Sequence, residues 1–299
     1  MTRPTRTTLA NFKHYDIVLT TAFEARHGIS GHTFELIEYY YAITHYTNLS
    51  ACILLADGTT LDQFHKCVAD KYDMEPIRDV FEVFRPKVLL SNNILFVDGS
   101  HHLSNCQVFA QNIFLFRCFE SDFTYFQQHS ANMFLLQDYE VYGGGIGIDY
   151  KKKILFQKLK VPTIDVQDTA MMYLTTNCRA LPVGQINTIF AKHHHSHNII
   201  LTNDPTRFEG ANATIYRIPV EDLWNKFTTY IYTNVARQLD CSPRFIAECK
   251  FCGKQIILEV DYHDAGLETR LKDSVDTITL NKDDLFLELL REQVKHTRN

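Results

Sequence analysis

Arg244 and Glu248 stand four residues apart, directly behind a Ser242-Pro243 pair. On a helix that spacing places a guanidinium and a carboxylate on one face. Ser can cap the orphan N–H groups of a first turn and Pro fits its backbone, so the pair predicts a helix start. The N–H groups and the dipole there favour an anion. Arg offers phosphate a bidentate fork, and a carboxylate accepts from ribose hydroxyls. The plainer alternative is a surface i,i+4 ion pair of little energetic weight. Two more pieces of the same kit lie upstream. Arg179 follows the apolar run 170–176, and Ile218-Pro219 ends the run that begins at Thr214. Two arginines can neutralise a diphosphate. A backbone edge left open at Ile218 can read a base such as uracil. Arg179, Ile218, Arg244 and Glu248 are therefore the candidate site for a nucleoside diphosphate donor.

The elements that must hold these residues alternate between strand and helix. Residues 15–21 and 51–55 read as buried strands, with a polar loop 22–32 and a helix 33–46 between them. Such strand–loop–helix–strand units indicate parallel sheets with helical crossovers. Residues 61–72 read as a helix. Strands follow at 88–90 and 94–97, with a turn at Asn92-Asn93, then at 113–116 and 133–136. Tyr142 to Gly147 holds four of the twelve glycines. It lacks phosphate-loop spacing and reads as a flexible loop or hinge. The second half restarts with strands at 170–176, 198–202, 214–218, 229–233 and 256–260. Its helices are expected at 185–193, 220–227 and after Ser242, and a last one at 285–294. Open parallel sheets bind ligands at the carboxyl ends of their strands, where Arg179, Ile218 and Arg244 fall.

With 299 residues, 45% of them hydrophobic, the chain is long enough for two domains and poor material for global disorder. The expected division is an N-terminal domain over 1–150 and a C-terminal domain over 151–299, with the last helix packing back on the first. The net charge of −5 argues against a general nucleic-acid coat but allows a local basic cleft. Met1 to Lys13 has no apolar signal core, and no apolar run reaches membrane-spanning length. A cytoplasmic protein with reduced, buried thiols is the expectation.

Over about 170–260 the chain resembles the donor half of the GT-B glycosyltransferases, and among them the T-even phage DNA beta-glucosyltransferases. The resemblance lies in the order and approximate spacing of three features: a strand and turn leading to Arg179, the Ile218-Pro219 pair, and Arg244 with Glu248 on one helix. It implies an α/β protein of the GT-B kind, with two Rossmann-like domains facing a central cleft. The implied activity is transfer of a sugar from a UDP-sugar to a hydroxyl, most closely that of 5-hydroxymethylcytosine in duplex phage DNA. The host cytoplasm would be its place.

In that family the first half binds the acceptor and supplies a base, which takes the hydroxyl proton during in-line attack. The implied base follows a first-half strand, where Glu120 and Asp122 stand here. The family also places an acid near the first helix; this chain has His32 there, with Glu24 and His27 upstream. Basic candidates for a DNA face are Arg26, His27, Arg117, Lys151, Lys152 and Lys153. No tightly bound cofactor and no membrane partner are expected. A monomer is expected, and a divalent cation is compatible with these residues but not indicated by them. Two other readings use the same donor residues: a glycosyltransferase for a small metabolite, protein or glycan, and a non-catalytic binding module.

Two further clusters suggest metal and are set aside. Cys249 and Cys252, with Cys241 nearby, provide three thiols where a structural zinc site needs four ligands. His193, His194, His195 and His197 sit at an expected helix end, where His suits the dipole and a solvated turn is the simpler account.

Overall fold

The computed structural model describes residues 14–20, 31–55, 72, 81–83, 89–96, 108–109, 112–115, 132–135, 146–147, 159–174, 181–218, 220–233, 244–259 and 287–292. Those within 1–66, 75–156 and 279–299 form one compact unit, and those within 67–74 and 157–278 a second.

The first unit contains β1 (His14–Thr20), α1 (Gly31–Tyr46), β2 (Ala51–Leu55), β3 (Phe81–Val83), β4 (Leu89–Phe96), β5 (Val108–Phe109), β6 (Asn112–Leu115), β7 (Asn132–Leu135) and β8 (Ile146–Gly147). They form one sheet in the order β3-β2-β1-β4-β6-β7-β8, with β5 beside β4. Every pairing is parallel. Ile17, Val18 and Leu19 of β1 are all fully buried. Burial on both faces is what a central parallel strand requires. α1 turns Phe34, Ile37 and Ala42 inward. The buried Asp16 carboxylate accepts from the Ser50 amide at 2.8 Å and its hydroxyl at 2.9 Å, pinning β1 to the start of β2. Arg291, in the helical stretch 287–292, donates to the Tyr46 carbonyl at 2.6 Å, so an orphan acceptor at the end of α1 is satisfied.

One local expectation fails in this sheet. Asn92 and Asn93 make no turn but lie inside the single strand β4, where Asn93 pairs with Ile17 on one side and Asn112 on the other. Ladders on both flanks outweigh the turn preference of asparagine. In the glycine-rich stretch, Ile146-Gly147 joins the sheet edge against Phe134 and Leu135. The short strands β3 and β5 carry too little pattern to be read from sequence.

The second unit contains β9 (Thr169–Tyr173), α2 (Val183–His193), β10 (His197–Thr202), β11 (Thr214–Arg217), β12 (Thr229–Thr233), α3 (Arg244–Phe251) and β13 (Gln255–Glu259). Its strands are all parallel, in the order β11-β10-β9-β12-β13. In chain order that is 3-2-1-4-5, the winding of a Rossmann-type sheet, and its direction reverses between β9 and β12. Alternation along β9 feeds two cores. Met171 joins Trp224, Phe227, Phe245 and Ile246 on the α3 side. Ala170 and Met172 join Ile186, Phe190 and Ile200 on the α2 side.

The helix expected over 220–227 is absent; a 3-10 turn, Leu223–Asn225, stands in its place. Asp222 before it takes a left-handed φ of 51°, which an α-helix cannot continue through. The Lys254 ammonium donates to the carbonyls of Trp224 and Phe227, each at 2.6 Å. Burial of that ammonium lowers its pKa.

Ile200 is fully buried in β10, which is flanked by β11 and β9. Ile200→Ala should cost about 2–5 kcal/mol in urea unfolding, whereas Lys192→Ala, at an exposed ion pair, should change stability by less than about 1 kcal/mol.

Candidate functional site

α3 is the crossover between β12 and the parallel β13. Its C-terminus feeds the amino end of β13, so its first turn lies at the carboxyl edge of the sheet. Ring contacts confirm the placement. Phe245 meets Tyr173, at the carboxyl end of β9, with centroids 5.1 Å apart. The helix is closed at the other end by Gly253 at φ +68°, with Gly253 N–H bonded to the Lys250 carbonyl and Lys254 N–H to that of Cys249. This is the Schellman pattern, and glycine suits the left-handed position it demands.

The residues of this helix from Arg244 to Cys249 are all buried. Arg244 Nε donates to Glu248 Oε1 at 2.7 Å, and the two side chains are 2% and 0% exposed. The surface ion pair weighed above is thereby excluded. Arg244 Nη2 donates to the Tyr72 hydroxyl at 2.8 Å, and Tyr72 is itself buried. A cation in the first turn of a helix is opposed by the dipole. Glu248 and Tyr72 offset that, and an anion brought there would offset it further.

Ile218 follows the edge strand β11 and is half-buried. Its N–H donates to the Thr202 carbonyl at 2.9 Å. One of the backbone groups expected to stay open is therefore committed to the sheet, and a base would meet the Ile218 carbonyl instead. Arg179, the fourth candidate, lies outside the described residues. So do Glu24, Arg26, His27, Arg117, Glu120, Asp122, Lys151, Lys152 and Lys153. His32 lies in the first turn of α1, after β1, with only its backbone described. Tyr72 was not singled out in the sequence. It sits 172 positions from Arg244, and no local pattern links the two.

Three of the histidines make separate contacts, while His194 and His197 are exposed, as a solvated turn would have them. His193 Nε2 meets Glu259 at 2.6 Å, His195 Nδ1 meets Asp168 at 2.6 Å, and His197 Nε2 meets Gln167 at 3.0 Å. His194 takes the left-handed position that ends α2. Cys249 and Cys252 are buried free thiols, and Cys252 Sγ donates to the Lys160 carbonyl at 3.4 Å. Among the described residues no group of three or more His, Cys, Asp or Glu could hold a metal ion. Nor is any helix among them long and apolar enough to cross a membrane. A cavity of about 440 Å³ lies at the opposite, amino edge of the second sheet, lined by Thr163, Asp165, Thr228 and Lys254 among others. The cation among its described lining residues, Lys254, is already engaged by two carbonyls.

No protein-family model matches the chain, and neither does any curated protein. Among solved structures, the Acinetobacter baumannii MurG is similar with a TM-score of 0.40 and 9% identity, over 96% of this chain and 91% of that one. A likeness at that level carries no argument about function, so the site must be judged on its own residues.

The geometry of the buried pair decides how it must be probed. Glu248→Ala strands the Arg244 charge and should destabilise the fold by about 3–5 kcal/mol, while the double variant Arg244→Met/Glu248→Leu should unfold close to wild type. Urea titration of the three proteins checks this. A second expectation concerns acid. Burial raises the Glu259 carboxyl pKa, but hydrogen bonds from Lys192 and His193 outweigh it and leave the pKa below the ordinary 4.5. Its stabilising contribution is therefore complete above pH 4.5 and is lost as the pH falls towards the lowered folded value. Glu259→Gln should flatten that part of the acid limb of a stability–pH curve.

Proposed function

We propose that the chain is a GT-B glycosyltransferase that moves a sugar from a UDP-linked donor to a hydroxyl acceptor. The observation that carries this is the Arg244–Glu248 pair, buried in the first turns of the crossover helix at the switch point of a 3-2-1-4-5 parallel sheet. Dinucleotide and nucleotide sites form at such a point, outside the carboxyl ends of the strands. Arg244, with Arg179, would neutralise the diphosphate as it leaves. Glu248 would accept from the ribose hydroxyls. The Ile218 carbonyl would accept from the uracil ring N–H.

Transfer then needs one proton moved. Glu120 or Asp122, with His32 and Glu24 as the other candidates, would take the acceptor hydroxyl proton. The oxygen would attack the anomeric carbon in line as the bond to the diphosphate breaks. The acceptor is assigned by resemblance alone to 5-hydroxymethylcytosine in duplex DNA, with Arg26, His27, Arg117, Lys151, Lys152 and Lys153 as its contacts. A base inside a duplex has to be flipped out to react.

A thermal-shift panel of nucleoside diphosphates tests the donor. UDP at 100 times its dissociation constant should stabilise the fold by about 2.7 kcal/mol, and adenine nucleotides should not. The Arg244→Met/Glu248→Leu protein should keep its fold and lose the shift. If UDP produces no shift in the wild type, the donor assignment is wrong. Duplex DNA binding with a steep salt dependence would support the DNA acceptor. Its absence beside UDP binding would favour a small metabolite, protein or glycan. UDP binding without turnover would favour a binding module.

A further inference from the structure

We infer that Cys249 and Cys252 form a redox-active dithiol, which a small disulfide entering the amino-edge cavity of the second unit oxidises to a disulfide. This site lies at the far end of α3 from Arg244 and does not depend on the donor reading. Both residues are thiols in this structure. Cys249 lies in the last turn of α3, and Cys252 follows the final residue, Phe251. Cys252 N–H still bonds to the Glu248 carbonyl at 3.0 Å, so the helical course continues to it. At helical pitch, residues three apart have Cα atoms about 5 Å from one another. A disulfide accepts Cα separations of about 4.4–6.8 Å. The backbone therefore already stands at bridging distance.

Two further features favour reaction. The first is access. Cys249 is fully buried, but Cys252 lines the cavity of about 440 Å³ together with Thr163, Asp165, Thr228 and Lys254. That volume suits a small molecule. The second is charge. Burial lowers the Lys254 pKa, and Cys252 and then Cys249 oppose that shift, so the ammonium is within electrostatic reach of both sulfurs. The ammonium in turn favours the thiolate, the form that attacks a disulfide, against the dipole at the helix C-terminus. The carbonyls of Trp224 and Phe227 hold Lys254 in place.

Two exchanges complete the reaction. The Cys252 thiol gives up its proton, and with it the weak bond to the Lys160 carbonyl. The thiolate attacks one sulfur of the small disulfide, and the other half leaves and takes up a proton. Cys249 then loses its proton, attacks the Cys252 sulfur and expels the second half as a thiol. Two protein thiols are oxidised, and one small disulfide is reduced to two thiols.

The test exposes the native chain to oxidised glutathione, blocks remaining thiols by alkylation in acid and digests with trypsin. Cleavage after Arg244, Lys250 and Lys254 leaves one cysteine in each of the peptides 245–250 and 251–254. Mass spectrometry should find these two joined, and reduction should separate them. Persistence of both as alkylated thiols overturns the inference, whether or not other cysteines react. Two variants test the order of attack. Cys249→Ala should stall with glutathione on peptide 251–254, and Cys252→Ala should leave Cys249 unmodified. Glutathione on Cys249 in Cys252→Ala, with none on Cys252 in Cys249→Ala, overturns the route through the cavity. Folding of both variants is checked by the emission of Trp224, the single tryptophan, whose ring stacks on Phe245 of the same helix with centroids 5.5 Å apart. The wild-type result stands without either variant.

Discussion

A guanidinium sealed in the interior is the constraint around which the second unit is arranged. Arg244 stands in the first turn of α3, where the dipole opposes its charge. Water cannot screen it, because the side chain is almost wholly buried. Glu248 one turn later supplies the counter-charge, and the Tyr72 hydroxyl supplies a further acceptor. Replacing such a pair with apolar side chains is often neutral or stabilising. Its presence therefore calls for a reason other than stability, and the proposed donor role would supply one.

That position follows from the topology. β9 and β12 are neighbours, and the winding changes direction between them. α3 must return the chain from the carboxyl end of β12 to the amino end of β13, so its first turn is held at the carboxyl edge. The Schellman closure at Gly253 fixes the far end of the helix, and Lys254 immediately satisfies the carbonyls of Trp224 and Phe227. Tyr173, Tyr230 and Trp224 all press on Phe245. The aromatic packing orients the residue next to Arg244 and so limits where the guanidinium can point. Rigid positioning of this kind is what a binding side chain needs.

The polar clusters elsewhere in the unit serve the scaffold. His193 ties the end of α2 to Glu259 of β13, and His195 ties the approach to β10 to Asp168 before β9. Hydrogen bonds from His195 and the Ser196 amide hold the Asp168 carboxyl below its ordinary pKa. A run of histidines in sequence becomes a set of separate contacts once the chain folds, because successive residues around a helix end face different neighbours.

Much of this fold was legible in the residues. The runs 15–19, 51–55, 198–202 and 229–233 are apolar and short, and burial on both faces makes a parallel strand look that way. The helix at 244–251 was marked by its closing glycine and its i,i+4 pair. Other features depended on partners distant in sequence. Asn92-Asn93 is a turn by local preference and strand by two flanking ladders. Residues 220–227 have a helical pattern, yet Asp222 takes a left-handed φ and only the 3-10 turn 223–225 forms. For the candidate site, the sequence by itself determined that Arg244 and Glu248 share a helix face, because that depends only on a spacing of four and a helical pitch. Tertiary structure alone decided that the pair is buried, that the Ile218 N–H is spent on Thr202, and that Tyr72 joins the cluster. Burial and long-range hydrogen bonds are properties of what packs around a residue, and for Arg244 one of those neighbours lies 172 positions away in the chain.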